Sequence, residues 1–154
     1  MAGFYSDAED AAERRGLYGT RRIEVMWGDC DAASVVFYPR YYEWFDACTH
    51  ALLDSVGLDH HTLRRAHGMV GTPLVQASAT FLSPATFGDV LVAESRISRV
   101  GERGFTVRQR LSLGDRVIVE GEENRVWARV SEGAPQRLQA VDPGPEIKAL
   151  LEGK

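Results

Sequence analysis

The sequence predicts an α+β fold in which an antiparallel five-stranded sheet wraps around one long central helix. Three observations carry that expectation: an isolated segment of period two near residue 20, a stretch from Tyr38 to Gly57 with apolar positions three and four apart, and four further alternating segments in succession. An order of one strand, one helix and four strands suits a sheet with its helix gathered on one face.

The first strand is "TRRIEVMW", in which Ile23 and Val25 face one way and Glu24 and Met26 the other, stopping at Gly28. From Tyr38 the period changes: Tyr41, Phe45, Cys48, Leu52 and Val56 fall on one helical face, with Trp44, Ala51 and Leu53 widening it enough to predict a helix wrapped over much of its girth. Pro39 suits the first turn, where a missing N–H costs nothing, and Gly57 suits the left-handed position just past the end. "DHHTLRRAHG" reads as a short helical or irregular connector. The remaining strands are "PLVQASATFLS", "DVLVAESRIS", "GFTVRQRLSL" and "DRVIVEGEENRVWARV", separated by the turn signals "PATFGD", "RVGER" and "GD". The last segment is punctuated by Gly and Pro and ends in a helical turn. A five-stranded sheet with one helix leaves an edge strand, and a second copy of the chain is a natural cover for it.

At 154 residues the chain can bury one core and is too short for two typical domains. Residues 1–18, Ala-rich and charged, read as an N-terminal extension, and residues 19–154 as a single domain. The 18 Lys and Arg against 22 Asp and Glu give a net charge of −4, so no overall positive field draws the chain to nucleic acid or an anionic membrane. No apolar run approaches the roughly 18 residues that span a bilayer. Cys30 and Cys48 form no CxxC pair, and "MAGFYSDAEDAAERRG" lacks the apolar centre of a secretory signal. The expectation is a reduced, cytoplasmic protein with neither membrane nor nucleic-acid partner.

The stretch "WGDCDAASVVFYPRYYEWFD", from Trp27 to Asp46, sets two carboxylates just ahead of an aromatic helix. Together with "VGTPLV" and "PATFGDVL", in the same order, it resembles the 4-hydroxybenzoyl-CoA thioesterase family of hotdog proteins, from about Arg21 to about Arg129. The resemblance implies the hotdog fold, hydrolysis of an acyl-CoA thioester with an aromatic, benzoyl-type acyl group, and catalysis by the second Asp of the Gly-Asp-x-Asp segment, here Asp31. It also implies a homodimer, or a homotetramer built as a dimer of dimers. Ser34 stands where the family usually has glycine.

The residues themselves lead to the same place. Thioester hydrolysis needs a group that attacks the carbonyl or activates a water, and donors for the oxyanion. Asp31 can supply the first, as nucleophile or general base. The start of the helix can supply the second, and since Pro39 has no N–H, the backbone N–H of Tyr38 is the leading oxyanion donor. Asp29 reads as a loop holder through side-chain bonds to nearby N–H groups. Trp27 and Phe37 flank the loop as acyl-pocket candidates, whereas Tyr41 belongs to the core. Thr72, in the "GTP" segment, is a candidate to orient a water or the thioester, although threonine is also an ordinary strand former.

Arg96, Arg99, Arg103, Arg108 and Arg110 concentrate positive charge in one hairpin and suit the phosphates of coenzyme A, with Arg99 and Arg103 as the leading pair. Alternating charge on an exposed strand is also a common route to solubility. His50, His60, His61, His67, Cys30 and Cys48 show no paired-ligand spacing, so neither a metal nor a cofactor is expected. Two other readings stand beside hydrolysis of acyl-CoA: a thioesterase acting on acyl carrier protein, and a hotdog module that binds acyl-CoA without turning it over.

Overall fold

The structure is a computed structural model that describes residues 15–133 and 137–154. The order of elements is β1 (Tyr18–Glu24), a 3₁₀ turn (Trp27–Asp29), α1 (Pro39–Asp54), α2 (His60–His67), β2 (Leu74–Phe81), β3 (Val90–Val100), β4 (Gly104–Leu113), β5 (Arg116–Val126), β6 (Ala128–Val130), β7 (Leu138–Ala140) and α3 (Pro145–Leu151). One five-stranded antiparallel sheet has the order β1-β3-β4-β5-β2, which leaves β1 and β2 at its edges. This is the expected hotdog arrangement.

The long helix begins where the sequence placed it, with Pro39 in its first position after Tyr38. It buries Tyr41, Phe45, Cys48, Thr49, Leu52 and Leu53 against the inner face of the sheet. It is not wrapped all round, because Glu43, Asp46, Ala47, His50 and Asp54 stay open to solvent. Facing it, β3 and β4 alternate, sending Leu91, Ala93, Ile97, Val107 and Leu111 inward. Two apolar clusters result. One gathers around Phe45, Val25, Leu91 and Val119, and the other around Leu53, Phe105, Trp127 and Leu151.

Three expectations change in detail. Trp27, predicted in the first strand, lies in the 3₁₀ turn, because pairing with β3 ends at Glu24 opposite Val90. The last predicted strand breaks at Trp127, whose side chain is buried with its ring 5.1 Å from Phe105 and whose N–H bonds the Arg103 carbonyl. The chain then leaves the main sheet, and β6 pairs instead with β7, a strand too short to show a period. The connector is a true helix, α2, capped by Asp59, which accepts from the Thr62 N–H at 3.0 Å, and closed by Gly68 in the left-handed region.

At the start of the chain, Leu17 N–H bonds the Leu151 carbonyl and β1 begins at Tyr18, which ties this segment to α3 and β3. The rest of the predicted extension, residues 1–14, lies outside the described residues.

α1 seats closely on Gly121 of β5. A Cβ there would lie 2.3 Å from Cε2 of Phe45 and 2.8 Å from the Ser78 carbonyl oxygen. Phe45 is fully buried and cannot swing away. Gly121→Ala is therefore expected to lower stability by about 1–3 kcal/mol through overpacking. Denaturant titration checks this, and an unchanged midpoint would mean that the helix can lift without cost.

Candidate functional site

The chain between the 3₁₀ turn and α1 is a tight reversal. Cys30 and Val36 form an antiparallel bridge, the Asp31 N–H bonds the Val35 carbonyl at 2.9 Å, and the Ser34 N–H returns to the Asp31 carbonyl at 2.9 Å. Ser34 has φ 63, the left-handed region where a side chain is disfavoured. Its carbonyl accepts from the Thr86 hydroxyl at 2.6 Å, and Val36 N–H bonds the Ala85 carbonyl, so the reversal is pinned to the loop before β3.

Asp31 sits in the first half of this reversal. Its Oδ1 accepts from the Ala33 N–H at 2.8 Å, and no described residue donates to Oδ2. One oxygen is thus tethered and the other is available. The carboxylate lines a cavity of about 270 Å³ together with Trp27, Cys30, Ser34, Thr86 and Phe87. Trp27 and Phe87 meet edge to face, their centroids 5.6 Å apart, and form an aromatic wall. In the sequence Phe87 belongs to the turn signal "PATFGD", and an aromatic in a turn beside Gly88 is the one local signal that points to it.

Asp29 holds the loop as expected. Its Oδ2 accepts from the Met26 N–H at 2.8 Å, its carbonyl accepts from Phe37 N–H, and Arg40 Nε lies 3.6 Å from Oδ1. Tyr38 is the residue before α1, and none of the described residues accepts from its N–H. The rings of Phe37 and Tyr38 lie outside the Asp31 cavity. Tyr38 packs edge to face on Phe81, at the end of β2, and Phe37 leans on Tyr38. Tyr41 is buried, and burial pushes its phenol up to about 12, which keeps it protonated in the core.

The other candidate residues lie at the opposite end of the sheet. Val90, opposite Glu24, starts β3 beside the Asp31 cavity; Arg99 is nine residues on, roughly 30 Å away along an extended strand. Thr72 precedes β2, whose first residue, Leu74, pairs with Arg125, and Arg103 bonds Trp127 nearby. Within one chain, Asp31, Trp27, Phe37 and Tyr38 therefore form one group, and Thr72, Arg99 and Arg103 another.

The arginine patch is also divided. Arg108 lies 3.4 Å from Glu122 and Arg110 3.3 Å from Glu120, in a cross-strand ladder on the outer face of the sheet. Arg96 stacks 4.4 Å over the Tyr18 ring. These three belong to a paired surface, not to one positive patch. Arg99 is set apart from them, in a cavity of about 560 Å³ with Arg15 and Lys154.

Asp29→Ala is expected to cost about 1 kcal/mol, the loss of one local cap-like bond in the loop. An unchanged melting temperature would remove its loop-holding role.

Residues 25–151 match the Thioesterase-like superfamily. The chain is 33% identical over 130 residues to a 4-hydroxybenzoyl-CoA thioesterase of Pseudomonas sp. (strain CBS-3), covering 80% of this chain and 89% of that one. Among solved structures, a mutant 4-hydroxybenzoyl CoA thioesterase complexed with 4-hydroxybenzoyl CoA superimposes with a TM-score of 0.79 at 28% identity, covering 88% of this chain and 99% of that one. A gentisyl-coenzyme A thioesterase superimposes with a TM-score of 0.69 at 30% identity, covering 80% and 95%. The chain belongs to the Thioesterase-like superfamily, and it is an enzyme of the thioester hydrolase class.

Proposed function

We propose that this member of the superfamily hydrolyses acyl-CoA thioesters that carry a compact, benzoyl-type aromatic acyl group, with Asp31 as the reacting carboxylate. The observation that carries the reading is a carboxylate with one oxygen tethered and the other available, in a cavity walled by Trp27 and Phe87. The substrates in the names of its relatives, 4-hydroxybenzoyl-CoA and gentisyl-CoA, support the choice of an aryl group.

The chemistry follows from the parts. Oδ2 of Asp31 attacks the thioester carbonyl, the C–S bond breaks, and CoA leaves as a thiolate that takes a proton from water. Water then hydrolyses the mixed anhydride and frees the acid. In the alternative course Asp31 takes a proton from water as the water adds to the carbonyl, and returns it to the leaving sulfur. Either way negative charge develops on the carbonyl oxygen. The Tyr38 N–H, at the positive end of the sixteen-residue α1, is the donor that meets it.

The two separated groups of residues make sense across two chains. β2 is an edge strand with Leu74, Val75 and Phe81 exposed. A two-fold axis through antiparallel β2 edges lays the Asp31 end of one chain beside the Thr72 end of the other. The Gly71–Thr72–Pro73 segment then lies beside the thioester, Phe37 edges the acyl site, and Arg99 and Arg103 supply guanidinium groups for the CoA phosphates. The functional unit is a homodimer, or a tetramer of two such dimers. No helix of the described residues is long and apolar enough to cross a membrane, and the two free cysteines, Cys30 and Cys48, suit a reducing cytoplasm.

The test is turnover of a panel of acyl-CoA esters, read by release of free thiol. Asp31→Asn should lower kcat on the order of 10³-fold with the fold intact; retention of a third of wild-type turnover would overturn the mechanism. Binding of aryl-CoA with no hydrolysis by the wild type would instead mark a binding module, and turnover confined to acyl carrier protein would mark that substrate.

Arg103→Ala should raise KM for the full ester by about 10- to 100-fold, the worth of a charge-assisted bond. It should leave acyl-pantetheine, which lacks the phosphates on the nucleotide, almost unaffected. Equal losses on both substrates would make Arg103 structural. Light scattering that showed an active monomer of 17.1 kDa would remove the shared site.

A further inference from the structure

Between the two apolar clusters, a row of buried polar side chains crosses the inner face of the sheet beneath α1. Gln109 Nε2 donates to the Phe45 carbonyl at 3.2 Å and to the Thr49 hydroxyl at 2.9 Å, and it approaches Oε1 of Glu123 at 3.4 Å. Ser95 donates to the Gln109 side-chain oxygen, and Thr49 to Oε1 of Glu123. The row ends at Arg125, whose side chain is 4% exposed. Its Nη2 reaches Oε2 of Glu123 at 2.7 Å and Oδ1 of Asp46 at 2.6 Å, and its Nη1 donates to the Thr72 carbonyl at 3.0 Å.

We propose that Arg125 is a positioning residue: its buried guanidinium, anchored by Glu123 and by Asp46 of α1, fixes the Thr72 carbonyl and with it the Gly71–Thr72–Pro73 segment. In the dimer proposed above, that segment meets Asp31 of the partner subunit, so the inference rests on the thioester hydrolase reading.

The backbone accounting of the segment shows why a side chain is needed. The carbonyls of Gly71 and Pro73 accept from the N–H groups of Ala128 and Val126. Thr72, between them, turns its own carbonyl away from that ladder, and Pro73 has no N–H to offer. Thr72 is 5% exposed, so water is a poor substitute, and Arg125 is the donor that satisfies it.

The choice of residue is costly if stability alone is the purpose. A buried ion pair is often replaceable by apolar side chains without loss. Here Arg125 also leaves its Nε buried without an acceptor among the described residues. What a guanidinium does that an apolar group or a lysine cannot is to hold several acceptors at fixed angles. It joins α1, which carries Tyr38 at its start, to the Thr72 segment. One group thus sets the relative position of two parts that serve two sites.

The experiment compares wild type, Arg125→Lys, and the double variant Arg125→Met with Glu123→Gln, which removes both buried charges together. It reads melting temperature, hydrogen exchange of residues 70–74, and kcat and KM on aryl-CoA. In the double variant the fold should be retained, exchange at 70–74 should quicken by at least about tenfold while that of β3 and β4 is unchanged, and kcat should fall on the order of 10²-fold with a smaller change in KM. Arg125→Lys should share the kcat loss despite keeping the charge. Unchanged exchange in a folded double variant would overturn the proposal. So would quickened exchange with wild-type kcat, which would make Arg125 merely structural. A wild type inactive on every thioester would overturn the hydrolase reading instead, and the exchange arm would still decide whether Arg125 holds the segment.

Discussion

Phe45 reaches the sheet only because residue 121 has no Cβ, and this close seating of α1 on β5 is the constraint from which the rest of the structure follows. An apolar helix on an apolar sheet can slide along its axis at little cost, since hydrophobic burial has no direction. The row formed by Gln109, Thr49 and Glu123 removes that freedom, because its bonds tie one turn of α1, from Phe45 to Thr49, to particular residues of β4 and β5. With the helix fixed in both depth and register, its first residues stand at one end of the sheet, and the loop that leads into it has a fixed place to finish.

That loop shows how little slack the site has. The chain leaves β1, makes a 3₁₀ turn, reverses between Cys30 and Val36, and starts α1 at Pro39. Asp29 holds the first bend and the Thr86 hydroxyl holds the second. Ser34 adopts a left-handed conformation at the tip of the reversal, where glycine is the less strained choice. The surrounding bonds keep it there. The same residue lines the cavity with Asp31, so the strained position and the carboxylate proposed to react share one wall.

Charge is handled differently on the two faces of the sheet. On the outer face Arg108 and Arg110 meet Glu122 and Glu120 across neighbouring strands in half-buried pairs. On the inner face Arg125 and Glu123 are paired in the core, with the solvent-open Asp46 bonding the guanidinium from α1, and there the cost of leaving either buried charge alone is high. Burial lowers the tendency of Arg125 to hold its proton, but the two carboxylates outweigh this and raise its pKa. Charges that look alike in the sequence are therefore a cross-strand ladder on one face and a directional brace on the other.

The sequence by itself made legible the order of the five main strands and the long helix, the start of α1 at Pro39, and the loop that carries Asp29 and Asp31, because hydrophobic period and turn chemistry are local properties. It could not tell that the strand through Trp127 breaks, since that depends on a buried contact with Phe105 across the fold. Nor could it tell Arg96, Arg108 and Arg110 from Arg99, because which carboxylate faces an arginine is set by register between strands. Phe87 entered the cavity wall and Arg125 the brace only when the sheet curled around α1. Tertiary structure alone decided that Asp31 and Thr72 lie at opposite ends of one chain, because an antiparallel sheet sends successive strand ends to opposite sides, and distance along the sequence carries no record of that.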